Sequence, residues 1–103
     1  MIKFEDFLKD WHKIIEVHTE EDAKMLKDSF GLHGFKWSFM HDPSEVPSMI
    51  QQHGACYCAL VGATADTAGI FDEVLEDDIV YDISQVIINR SIDADAFENI
   101  LFM

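Results

Sequence analysis

The stretch QQHGACYCALVG at positions 51–62 decides how this chain is read. Its first half is polar and closes on Gly54, and its second half, ACYCALV at 55–61, is an apolar run of strand length. Gly54 ends a helical turn that opens at Pro43 and Ser44, in which Val46, Met49 and Ile50 share a face. The strand follows at once. Alternation along it puts Cys56, Cys58 and Leu60 on one face and Ala55, Tyr57, Ala59 and Val61 on the other.

Working upstream, residues 13–18 (KIIEVH) are rich in β-branched side chains and predict another strand. Thr19 then offers an N-cap, and Glu20, Glu21 and Asp22 fall in the first turn, where a helix dipole favours acids. Ala23, Leu26, Lys27 and Phe30 continue at helical spacing towards Gly31, so a helix is predicted over 20–30. Phe4, Phe7, Leu8 and Trp11 follow the same spacing and predict a short amphipathic helix over 3–11. After Gly34, the alternating FKWSFM at 35–40 reads as a strand.

Downstream, GATADTAG at 62–69 is small and loop-like, and IFDEVLEDD at 70–78 is a charged helix or a ragged strand. IVYDISQVII at 79–88 supplies a further strand with a continuation. Residues 93–102 close as an amphipathic helix with Ile92, Ala96, Phe97, Ile100 and Leu101 on one side. The expected fold is α+β: a small single domain over 1–103, with a three- to four-stranded antiparallel or mixed sheet packed by two to four helices.

Composition narrows the class. With 103 residues, 49% apolar content and twelve aromatics, the chain can bury a core despite a formal net charge of −13. Acids interrupt the apolar residues of MIKFEDFLKDW, so it does not read as a signal peptide, and no stretch has the length of a membrane span. A cytoplasmic, monomeric protein is expected. The charge is uneven: residues 1–36 hold six lysines and eight acids, whereas residues 37–103 hold Arg90 as their only base against twelve acids. Nucleic acid and anionic membrane both need cationic surface, so the expected partner is a basic protein surface.

The order of a strand, a Thr19-Glu20-Glu21 helix with Ala23 and Leu26, a Gly34, Lys36, Trp37 strand and a Cys56-Tyr57 strand resembles small α/β proteins common in bacteriophages and prophages. The similarity spans about residues 13–88. It implies a phage context and, joined with the acidity, an inhibitor of the anti-CRISPR kind acting in a bacterial host cell. Cys58 and the heavy acidity depart from that pattern.

Two constellations are candidate sites. His53, Cys56 and Cys58 have the side-chain types of a structural zinc site, with Gly54 allowing a tight turn between His and the first Cys. Zinc asks for a fourth ligand, for which His41 is the first choice and Asp42 or His33 a substitute. The alternative is that Cys56 and Cys58 line an ordinary buried strand, since free Cys behaves as a small hydrophobe. The second constellation is Asp72, Glu73, Glu76, Asp77 and Asp78, interleaved with Val74 and Leu75, which presents spaced negative charge beside apolar anchors.

No nucleophile elbow, phosphate-binding loop, dinucleotide fingerprint, HExxH or complete calcium loop occurs in the sequence, so no catalytic residue is assigned and an enzyme is not expected. The leading expectation is an inhibitor that covers a basic surface of a CRISPR effector nuclease and blocks nucleic-acid loading or cleavage. The alternatives are a small zinc-binding accessory or regulatory protein and an anti-restriction or transcription inhibitor.

Overall fold

The computed structural model describes residues 13–37, 41–61, 67–72 and 79–102. Among the described residues a five-stranded mixed sheet carries three α-helices, with a separate two-stranded ribbon. The strands are β1 (Lys13–Val17), β2 (Lys36–Trp37), β3 (Cys56–Val61), β4 (Thr67–Phe71) and β5 (Val80–Asp82), in the order β2-β4-β3-β1-β5. The ribbon pairs β6 (Ile87–Ile88) with β7 (Ser91–Ile92). The helices are α1 (Glu20–Leu32), α2 (Val46–His53) and α3 (Ala94–Phe102). The α+β class and mixed sheet are as the sequence predicts, with five strands in place of three or four.

The central strand comes from the apolar run at 55–61. β3 runs antiparallel to both neighbours, with Val17 opposite Cys56, Ile15 opposite Cys58 and Ile70 on the far side of Cys58. Ile15, Val17, Cys56, Cys58, Ala68 and Ile70 form one cluster with Ala23, Leu26 and Phe30 of α1, Val46 and Met49 of α2, and Phe97 and Ile100 of α3. Alternation turns the other residues to the second face, where Glu16 has Tyr57 on one side and Asp82 on the other.

The start of α1 is fixed by a capping box. Thr19 Oγ1 accepts from the Asp22 N–H at 3.1 Å, and Asp22 Oδ2 accepts from the Thr19 N–H at 3.2 Å, which satisfies two donors at the helix entry. The end of the helix lies two residues beyond the predicted one. Gly31 is part of the helix, and the stop is Gly34, whose φ of +86° is left-handed. The Phe35 N–H donates to the Phe30 carbonyl at 3.0 Å and the Gly34 N–H to the Gly31 carbonyl at 3.0 Å, the double closure of a Schellman motif. Phe35 packs edge-on to Phe30 with centroids 6.0 Å apart, and Phe97 does the same at 5.1 Å, so the helix stop and the docking of α3 share one aromatic anchor.

Two further expectations change. The loop predicted over 62–69 gives way at Thr67 to β4, a strand that begins with the small residues Thr67, Ala68 and Gly69. Ala68 and Gly69 are poor strand formers, yet β4 has a neighbour on each side, and small side chains fit where its two faces are covered. The strand predicted over 35–40 is described only as Lys36–Trp37. The continuation of 79–88 becomes a 3-10 turn (Ile83–Gln85) and the first strand of the ribbon. Asn89 and Arg90, both at positive φ, make the two-residue ribbon turn that right-handed strand twist favours. The helix predicted over 3–11 lies outside the described residues.

The two glycines of the α1 terminus therefore predict opposite responses. A Cβ at Gly31 meets nothing within 4 Å and the residue is helical, so Gly31→Ala stabilises by about 0.5–1 kcal/mol. Gly34→Ala forces a side chain into the left-handed region and destabilises by about 1 kcal/mol. Urea unfolding midpoints that move in opposite directions confirm the assignment; a loss at Gly31 contradicts it.

Candidate functional site

The topology gathers ionisable side chains at one end of the sheet. β1, β4 and β5 all run in the same direction, because β1 and β4 are each antiparallel to β3 and β5 is parallel to β1. Their C-terminal ends lie together, and β3 begins there. That end carries Glu16 and His18 from β1 and its continuation, Asp82 from β5, Asp72 just after β4 and His53 just before β3. Thr19 caps α1 one residue after His18, so Asp22 of the first helical turn belongs to the same group.

His18 is the hub. Its Nε2 is 2.7 Å from Asp82 Oδ1, its Nδ1 is 4.0 Å from Glu16 Oε2, and its backbone N–H donates to Asp22 Oδ2 at 3.2 Å. Asp82 also accepts from the Ser84 N–H at 2.9 Å, while its own N–H donates to Gln85 Oε1 at 2.8 Å. The pattern Asp82-Ile83-Ser84-Gln85 thus serves as a capping box and leaves the second carboxylate oxygen for His18. The Ser84 hydroxyl and then the His18 ring pull the Asp82 carboxyl down to about 2. The Asp82 hydrogen bond raises His18 above its ordinary range, against a smaller opposing effect of burial.

A second pair lies nearer the other side of this end. His53 Nε2 is 3.2 Å from Asp72 Oδ2, and both side chains are well exposed. The predicted zinc ligands are thus divided. Cys56 and Cys58 point into the core and are fully buried, with the Cys56 thiol 3.9 Å from Met49 Sδ. His53 faces outward towards Asp72, and His41 Nδ1 is 3.3 Å from Glu45 Oε1. The substitutes are also engaged: Asp42 caps the turn before α2, and His33 bonds the Ser29 carbonyl and Glu98. Among the described residues, no group of three or more His, Cys, Asp or Glu side chains is placed to hold a metal ion.

The thiols sit as a core strand would place them. Burial pushes Cys56 up to about 11 and Cys58 well above its ordinary value.

Of the predicted acidic cluster, Asp72 stands at this end of the sheet, and Glu73, Glu76, Asp77 and Asp78 lie outside the described residues. The residues that sequence reasoning passed over are Glu16, His18, Asp22 and Asp82. One signal for them was present: Glu16 interrupts a β-branched strand between Ile15 and Val17, two residues before a His. Of the described lysines, Lys27 and Lys36 stand by the β2 edge, where the Lys27 ammonium is 5.7 Å from the centroid of Trp37. Among the described residues no helix is long and apolar enough to cross a membrane. No family model, no curated protein and no solved structure matches the chain.

Two outcomes follow from this geometry. With both thiols buried and neutral, a thiol reagent modifies Cys56 and Cys58 at the rate of unfolding, and rapid labelling of the native protein contradicts their placement. The His18–Asp82 pair stabilises the fold below the ordinary histidine range and loses its ionic part as pH rises through the raised His18 value. On the acid side, the Asp82 contribution is present above the ordinary carboxylate range and is lost as pH falls towards about 2. Because both side chains are about half exposed, the pair contributes only about 0.2–1 kcal/mol. His18→Gln is therefore expected to destabilise slightly at pH 5 and to change nothing at pH 9; equal loss at both, read by urea unfolding, contradicts an ionic pair.

Proposed function

We propose that the protein is a binding protein without chemistry of its own, which docks an acidic surface on a basic protein surface and denies that surface to nucleic acid. The observation that carries this reading is the charge distribution. Twelve acids against one base follow residue 36, and Glu16, Asp22, Asp72 and Asp82 stand at one end of the sheet. The predicted acidic cluster begins with Asp72 and, in sequence, precedes β5, whose last residue is Asp82.

Solubility alone asks for a net charge of about 2 to 8 in magnitude for a small domain, and an excess beyond that repels the compact state from within. A basic partner relieves that repulsion. Tyr57 is half-buried beside Glu16 on the second face, which suits arginine, whose planar guanidinium stacks on an aromatic ring while its donors reach a carboxylate. The resemblance to small phage proteins supports a bacterial nucleic-acid enzyme as the target. A CRISPR effector nuclease is the most concrete choice.

Direct binding to such a nuclease tests the reading. The affinity is expected to fall as salt rises from about 0.05 to about 0.3 M, over which the screening length shrinks to less than half. Neutralising Glu16 and Asp82 to Gln and Asn, or reversing Asp77 and Asp78 to Lys, is expected to weaken binding by roughly tenfold or more and to restore cleavage. Binding that ignores both salt and these substitutions contradicts the proposal.

A further inference from the structure

Every histidine among the described residues stands against a carboxylate. The pairs are His18 with Asp82 at 2.7 Å, His33 with Glu98 at 3.2 Å, His41 with Glu45 at 3.3 Å and His53 with Asp72 at 3.2 Å. In a chain with seven lysines and arginines against twenty acids, the five histidines are a large reserve of positive charge. That reserve is conditional, because imidazole is the side chain that ordinarily gains or loses its proton between pH 5 and 8.

We propose that the acidic end of the sheet takes up its basic partner in exchange for a proton, with His18 as the group that gives the proton up. In the free protein the imidazolium is the counter-ion of Asp82, with Glu16 and Asp22 close by. In the complex a guanidinium or ammonium group of the partner takes that place, and the His18 proton passes to solvent. The inference rests on the docking reading given above and adds how that docking is regulated.

The charged groups that act on His18 are Glu16 from β1, Asp22 from the first turn of α1 and Asp82 from β5. All three are carboxylates, so the ring has anionic neighbours on both its nitrogen sides. A proton is easily held while these charges have no other partner. An incoming cation reverses the balance, since it offers the same carboxylates a permanent charge and repels the imidazolium. The raised proton affinity of His18 in the free protein agrees with the first half of the exchange. Linkage supplies the second half: if the partner favours the neutral ring, deprotonation favours the partner by the same factor. The Asp82 carboxylate is held in place by its bonds to Ser84 even when the ring turns neutral, so the site keeps its shape while its charge becomes more negative.

The inference is tested with a hexa-arginine peptide as the probe, titrated into the full chain at pH 5.5 and pH 8.5 at constant low salt. Binding is expected to be roughly 3- to 10-fold tighter at the higher pH, the effect of removing one partly exposed charge near the site. His18→Gln is expected to abolish most of that difference, while His33→Gln, whose carboxylate partner lies on α3, retains it. Binding that is equal at both pH values overturns the proton exchange and leaves the docking reading standing. A pH effect that His33→Gln removes as completely as His18→Gln assigns it to net charge and also overturns the exchange. No binding at either pH overturns both the exchange and the docking reading.

Discussion

The register of β3 between β1 and β4 is the constraint on which the rest of the structure depends. Val17 opposite Cys56 and Tyr57 opposite Phe71 turn both thiols towards the helices and both Glu16 and Tyr57 away from them. A slip of one residue would exchange the faces, turning Cys56 and Cys58 away from the helices and driving Tyr57 into the place that the Cys thiols fill. The same register decides where the strands stop. Because β1 and β4 end level with the start of β3, their last carboxylates and the histidines beside them meet at one end of the sheet.

That end combines structural and electrostatic roles in the same residues. Asp22 closes the capping box of α1 and accepts from the His18 backbone, and Asp82 caps the following 3-10 turn while holding the His18 ring. Each carboxylate is fixed by bonds to backbone N–H groups, so its orientation does not depend on the ion pair it makes. Fixed acids paired with titratable partners give a surface that is rigid in shape and adjustable in charge. The thiols of the adjacent strand are buried on the face turned towards the helices.

Much of the fold was legible in the sequence because local signals agreed with tertiary ones. Thr19 with three acids marked the start of α1, Gly54 marked the end of α2, and the run 55–61 announced the central strand. The errors lay where tertiary structure overrides propensity. Gly31 looked like a helix stop, but the aromatic contact of Phe35 with Phe30 places the stop at Gly34. Ala68 and Gly69 looked like a loop, but flanking strands on both sides make them a strand. The candidate site was less legible. His18 and Asp82 are 64 residues apart, and only the parallel pairing of β1 with β5 joins them. His53 lies close in sequence to Cys56, yet the strand turns the thiol inward and the helix end leaves the imidazole outside, so proximity in sequence suggested a ligand set that the geometry divides.

The central claim is that a basic partner meets the carboxylates at the ends of β1, β4 and β5. Nuclear magnetic resonance mapping of the uniformly labelled protein, titrated with a basic protein partner, tests that claim most directly. The account predicts that the largest shifts fall on Glu16, His18, Asp22, Tyr57, Asp72 and Asp82, with the edge around Lys27, Lys36 and Trp37 unchanged. Shifts concentrated on that lysine and tryptophan edge, with His18 and Asp82 unmoved, would contradict it.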